Sequence, residues 1–79
     1  MREFDIRLHS VQEVREFVDL ATTKPFNIMV CDDHHCVNGK SFMEMFSLNF
    51  NNRLRVHSEG YDWEFDQLIQ DAQRFMANV

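Results

Sequence analysis

Ser41 and Glu44 stand three residues apart at the start of an apolar run, the spacing of a capping box. The Ser hydroxyl accepts an orphan amide of the first helical turn while Glu44 reaches back to the Ser41 amide. The same hydroxyl is a group that a phosphoryl donor can modify. Beyond it, Phe42, Met43, Met45, Phe46 and Leu48 cannot share one helical face, because neighbours on a helix point about 100° apart. Met45 with Leu48 makes one stripe, and Phe42, Met43 and Phe46 make another. If one stripe is core, the other is a compact surface patch, which beside a modifiable hydroxyl reads as a docking site.

A second cluster of reactive types is Cys31-Asp32-Asp33-His34-His35-Cys36. Cys31, His34, His35 and Cys36 are ligand types for a soft divalent metal, but the spacing is longer than a metal knuckle and no second ligand pair occurs. A polar hairpin turn is the preferred reading. Free thiols are expected, and a reversible disulfide depends on a Cα separation that sequence does not supply. His9 lies at a strand-helix corner beside a helix start, where a phosphate is favoured; the plain alternative is an exposed polar residue. His57 falls on a strand face opposite Leu54 and Val56 and is expected at the surface. Tyr61 and Trp63 are expected to staple or cover the core. No Ser-His-Asp arrangement or paired carboxylate in an apolar pocket is recognisable. Two Gly in all nearly exclude a phosphate-cradling loop, and no cofactor is implied.

The chain that must position these residues has 79 of them, enough for one domain spanning 1–79 and near the lower limit for a core without staples. Eight Phe and 44% hydrophobic residues mark it as globular rather than disordered. A formal charge of −5 with scattered Lys and Arg argues against nucleic acid and against an anionic membrane surface. No apolar run approaches the roughly 20 residues that span a bilayer, and the first twenty positions are acid-rich without a signal-peptide core. The expectation is a soluble cytoplasmic protein.

Along the chain, Phe4, Ile6 and Leu8 alternate with charged residues, so residues 2 to 8 read as a half-buried strand. Ser10 with Glu13 opens a helix over residues 11 to 23, with Val11, Val14, Phe17, Val18 and Ala21 at near-helical spacing. Pro25 stops it. Phe26, Ile28 and Val30 alternate as a second strand, and Cys36-Val37 begins a short return strand. A short helix follows over about 40 to 48, then Asn49, Asn51 and Asn52 suit a turn. Leu54 and Val56, alternating with Arg53, Arg55 and His57, make the fourth strand. Asp62 is placed to cap a last helix with Glu64 and Asp66 in its first turn and Phe65, Leu68, Ile69, Ala72, Phe75 and Met76 on its apolar face. The order is β-α-β-β-α-β-α. One-faced helices and one-faced strands in that order imply an α+β sandwich, with helices on one side of a four-stranded antiparallel sheet.

The run Cys36-Val37-Asn38-Gly39-Lys40-Ser41-Phe42-Met43-Glu44-Met45-Phe46-Ser47-Leu48, followed by Ser58-Glu59-Gly60-Tyr61-Asp62, resembles the HPr phosphocarrier family of the bacterial sugar phosphotransferase system. That family typically reads V-N-A-K-S-I-M-x-L-M-S-L at this place. The resemblance covers residues 26 to 76 and implies the family's open-faced β-sandwich. It also implies roles. Ser41 matches the serine that a dedicated kinase phosphorylates in low-GC Gram-positive members; Phe42, Met43 and Phe46 match the apolar docking patch, and Lys40 the basic residue before the serine. Gly39 replaces a usual Ala. The plain alternative for Ser41 is a helix cap and nothing more. A phosphate there would gain from the helix start yet sit close to Glu44.

The N-terminal third departs from the pattern. Phosphocarriers carry a G-L-H-A-R-P-like segment, in which the His accepts the phosphoryl group from Enzyme I and the Arg stabilises it. Here the segment is Leu8-His9-Ser10-Val11-Gln12-Glu13. Ungapped alignment on Phe17-Val18 puts Ser10 in the phosphoacceptor place, Gln12 for the Arg and Glu13 for the Pro. A carboxylate there repels a phosphoryl dianion by about 1 to 4 kcal/mol at near-surface dielectric. The resemblance therefore implies a non-enzymatic regulatory domain that works through protein contacts, with an HPr kinase/phosphorylase or a transcriptional regulator of carbon catabolism as partner rather than Enzyme I. Two other readings stay open: a residual phosphocarrier using His9, and an oligomeric structural module that buries the Phe42, Met43 and Phe46 patch against a second copy.

Overall fold

The computed structural model describes residues 2–76. Four strands, β1 (Arg2–Ile6), β2 (Ile28–Cys31), β3 (Cys36–Asn38) and β4 (Leu54–Ser58), form one sheet in the order β1-β4-β2-β3, with every pair antiparallel. Helices α1 (Val11–Thr22), α2 (Phe42–Met45) and α3 (Asp62–Asp71) fall between and after them, and a 3-10 turn at Gln73–Phe75 follows α3. This is the expected β-α-β-β-α-β-α order and the expected open-faced α+β sandwich.

The registers explain its two faces. Phe4 pairs with Val56, Val56 with Val30 and Val30 with Val37, and all four are buried. One residue along, Asp5, Arg55, Cys31 and Cys36 form the matching row on the opposite face, because strand side chains alternate. There Arg55 lies 3.3 Å from both Glu3 and Asp5, and His57 lies 3.1 Å from Glu3. The inner face joins Val14, Phe17, Val18 and Ala21 of α1, Met45 and Leu48, and Leu68, Ala72 and Phe75 in a single core cluster. Among the described residues no helix is long and apolar enough to cross a membrane.

Element ends differ from the sequence reading where tertiary hydrogen bonds decide them. β1 stops at Ile6 rather than Leu8, since the Arg7 amide donates to the Phe75 carbonyl at 2.8 Å. The apolar stripe of the last helix continues to Met76, but α3 ends at Asp71 and the chain tightens into the 3-10 turn. That tightening seats Phe75 edge-on against Phe17, with ring centres 5.7 Å apart, and lets Met76 bridge to Ile6. Asp62 is the first residue of α3 and not its cap; the Tyr61 amide donates to the Glu64 carboxylate at 2.8 Å. Tyr61 and Trp63 are 71% and 69% exposed, so neither covers the core as expected.

Candidate functional site

Helix α2 is one turn long, so its position rests on what flanks it. Ser41 is its N-cap, with its hydroxyl accepting the Glu44 amide at 3.3 Å. The second arm of the expected capping box goes elsewhere. Glu44 accepts the Asn38 amide at 3.1 Å, while the Ser41 amide donates to the Asn38 carbonyl at 3.0 Å. The start of α2 is thus stitched to the end of β3. Gly39 lies buried between them, and a Cβ there would stand 3.1 Å from the Cγ2 atoms of Ile28 and Val30. A side chain at this place would need the Ile28 and Val30 methyls to give way by a few tenths of an ångström. Lys40 is half-buried, and its ammonium donates to the Lys24 carbonyl at 2.7 Å, beyond the end of α1.

The two stripes of the α2 segment separate at four of their five positions, and Phe42 departs from the outward one. Met45 and Leu48 are buried, whereas Met43 is 81% and Phe46 41% exposed. Phe42 is half-buried, packed against the core and beneath the Arg15 guanidinium, which lies 5.0 Å from its ring centre. Phe42 meets Phe46 edge-on at 4.6 Å, and Phe46 meets Phe50 at 6.5 Å. Edge-on geometry is the favoured one for aromatic pairs. Phe50 then lines a groove of about 350 Å³ together with Arg7, His9, Ser10 and Val11. One surface therefore runs from the His9 corner through three rings to Met43 and Ser41. Residue pattern alone does not single out Phe50 or Arg7. Phe50 is isolated among asparagines, and the proximity of Arg7 to His9 depends on how β1 turns into α1.

At that corner, Ser10 caps α1, its hydroxyl accepting the Glu13 amide at 3.1 Å. The Glu13 carboxylate accepts the His9 amide at 2.7 Å, which seats a negative charge on the backbone of the candidate phosphoacceptor. Arg7 shares the groove, but its guanidinium donates to the Asn51 carbonyl at 3.2 Å.

The hairpin between β2 and β3 corrects the expectation of free thiols. Cys31 and Cys36 are directly paired across the two strands, their Cα atoms are 3.9 Å apart, and they form a disulfide. The physical reason is register: the four residues between them make the turn, leaving the two sulfurs side by side within bridging reach. The soft-metal reading of Cys31, His34, His35 and Cys36 loses its thiolates to this bond. Among the described residues no group of three His, Cys, Asp or Glu is placed to hold a metal. The His35 ring instead lies 3.0 Å from the Ser47 hydroxyl and 3.4 Å from Asp32. Asp32 accepts the amides of His34 and His35 at 2.8 Å each and of Asn49 at 2.9 Å. These backbone donors, His35 first and then Asn49 and His34, hold its carboxyl far below the usual carboxylate range against the opposing effect of burial.

No family model and no curated protein matches the chain. Solved structures do. It is similar to HPr-C-His from Thermoanaerobacter tengcongensis at 30% identity, over 91% of this chain and 90% of that one, with a TM-score of 0.73. Phosphocarrier protein HPr from Bacillus anthracis strain Ames aligns at 18% identity over 96% and 94% of the two chains, with a TM-score of 0.71. The Bacillus subtilis catabolite repression protein Crh, solved as a domain-swapped dimer, aligns at 20% identity over 95% and 90%, with a TM-score of 0.64.

Proposed function

This chain belongs to the HPr phosphocarrier family, and from that premise we propose that it is a regulatory, non-catalytic member acting through protein contacts, with Ser41 as a kinase-target serine. The observation that carries this reading is the surface around Ser41. A capping hydroxyl opens a helix whose outward side chains, Met43 and Phe46, are large, apolar and exposed, and which continues through Phe50 toward α1. Exposed apolar patches of this kind mark interaction sites. Residues that would suit ordinary phosphocarrier work are fewer. Gln12 and Glu13 stand where the family has Arg and Pro, and Glu13 binds the His9 amide. The partner that fits is an HPr kinase/phosphorylase, which would dock on Met43 and Phe46 and deliver phosphate to Ser41. Incubation with that kinase and ATP, followed by intact-mass measurement, tests the reading. One added phosphate that disappears in Ser41→Ala is the expected result, and no phosphate, or phosphate that survives Ser41→Ala, overturns it.

A second reading, residual phosphoryl transfer through His9, is favoured by one observation: Arg7 lines the same groove as His9 and offers a cation where the family's own Arg is missing. An acid-labile adduct formed with Enzyme I and phosphoenolpyruvate, and lost in His9→Ala, is its required outcome.

A further inference from the structure

We propose that Cys31 and Cys36 are a reversible thiol-disulfide modification site whose redox state sets how firmly the α2 segment is held. The chemical class it takes is a dithiol reductant, with the corresponding disulfide as oxidant. Three features of the fold carry the proposal.

Position comes first. Strand β3 is at the edge of the sheet, has three residues and, among the described residues, pairs with β2 alone. Its ladder is short, and the bond from Cys36 to Cys31 is the covalent part of its attachment. Edge strands with so few partners are weakly held by hydrogen bonds alone.

Connection is the second feature. β3 runs straight into the α2 segment, whose start is bonded to Asn38 through the Ser41 amide and Glu44. The far end of that segment returns to the same hairpin, Asn49 to Asp32 and Ser47 to His35. The segment carrying Ser41, Met43 and Phe46 is therefore clamped at its start to the end of β3 and at its far end to the turn that the disulfide closes.

Access is the third. Cys36 is exposed, and an open groove of about 660 Å³ beside the pair is lined by both cysteines together with Asp33, Asn52, Arg53 and Arg55. A dithiol thiolate attacks the Cys36 sulfur and forms a mixed disulfide, and the Cys31 sulfur leaves as a thiolate that takes up a proton. The second thiolate of the reductant then displaces Cys36, which is protonated in turn. Two electrons and two protons pass to the protein, and the reductant departs as its own disulfide. Reoxidation is the reverse. Reduction removes the covalent link and leaves β3 with its short ladder and the burial of Val37, so the clamp on residues 36–50 loosens, while α1 and α3, each of ten or more residues with their own helical hydrogen bonds, stay as they are.

The test needs no kinase and no ATP, so it is independent of whether Ser41 is phosphorylated. The full chain is equilibrated in a series of reduced and oxidised dithiothreitol mixtures, trapped by thiol alkylation and weighed, and amide hydrogen exchange is measured at the two ends of the series. A single transition between zero and two alkylated cysteines is expected, with amides of residues 36–50 exchanging about tenfold or more faster in the reduced chain and those of α1 unchanged. The Cys31→Ser, Cys36→Ser double variant should exchange as the reduced chain does in either mixture. Thiols that stay reduced throughout the series overturn the proposal, as does equal exchange of residues 36–50 in both states or a double variant that matches the oxidised chain.

Discussion

Asp32 and Asn49, 17 positions apart, are joined carboxylate to amide at 2.9 Å. The bond ties the tip of the β2–β3 hairpin to the chain just beyond α2, so the candidate docking segment is held by a charged acceptor rather than by its own helix. A one-turn helix has little intrinsic stability. What keeps Met43 and Phe46 presented is this contact, the Ser47 contact to His35, and the burial of Met45 and Leu48 beneath.

Acid should release that contact. Three backbone donors depress the carboxyl of Asp32, so the folded state binds its proton less readily than the unfolded chain, where the carboxyl titrates at about 3.9. Its stabilisation is complete above that ordinary value and is lost as pH falls through the folded-state value. Urea unfolding of the wild type should therefore show stability declining steadily in acid. Asp32→Asn should start lower at neutral pH and show a flatter acid limb, with Asp33→Asn following the wild type. Parallel acid limbs for Asp32→Asn and wild type would remove Asp32 from this role.

Gly60 has φ +112, and a Cβ there would stand 2.8 Å from the Glu64 carboxylate and 3.2 Å from the Phe26 ring. Gly60→Ala should destabilise the fold by about 1–3 kcal/mol from backbone strain alone. Because Glu64 also accepts the Tyr61 amide, adding Glu64→Ala should cost less than its effect in the wild type. A double-mutant cycle of unfolding free energies measures that coupling; strict additivity would show that the carboxylate moves aside without consequence.

Much of this architecture is legible in residue pattern because it depends on local period. Phe4 and Ile6 on β1, and Leu54 and Val56 on β4, alternate with charged neighbours and point inward as alternation requires. The two stripes of α2 separate for the same kind of reason, since Met45 and Leu48 repeat at a helical interval while Met43 does not share their face. Contacts fixed by register between distant segments are not written that way. Glu44 is three residues from Ser41, but its partner is Asn38, because β3 brings that amide within reach. The Cys31–Cys36 spacing admits a turn of several kinds, and only the pairing of β2 with β3 places the sulfurs together. The end of α3 likewise follows from Met76 bridging to Ile6, a contact that no helical periodicity announces.

Lys40 offers a test of position against recognition. Its ammonium donates to the Lys24 carbonyl at 2.7 Å, while the Lys24 ammonium pairs with Asp71 at 2.5 Å and holds that carboxyl below its usual range. Lys40→Ala removes a charged donor from a half-buried carbonyl and should cost about 1 kcal/mol of stability. Lys40→Met keeps the apolar stem and should recover part of that loss. If Lys40 instead serves only to meet a partner, both substitutions leave thermal unfolding unchanged and lower phosphorylation alone.

Met43 and Met45 sit two residues apart on the same short helix, one 81% exposed and the other fully buried, and they separate docking from folding. Met45→Ala opens a cavity under α2 and should cost about 2–5 kcal/mol in urea unfolding. Met43→Ala removes no core contact and should change stability by less than about 0.5 kcal/mol. If the outward stripe is where the kinase seats, Met43→Ala should nevertheless lower kcat/KM for Ser41 phosphorylation by about 5- to 30-fold, as loss of an interface anchor does. Phe46→Ala should act in the same direction with a small stability cost, because its ring also packs edge-on against Phe42 and Phe50. Unchanged kinetics in both variants, with Ser41 still phosphorylated, would move the docking surface away from this face of α2 while leaving the serine as the acceptor.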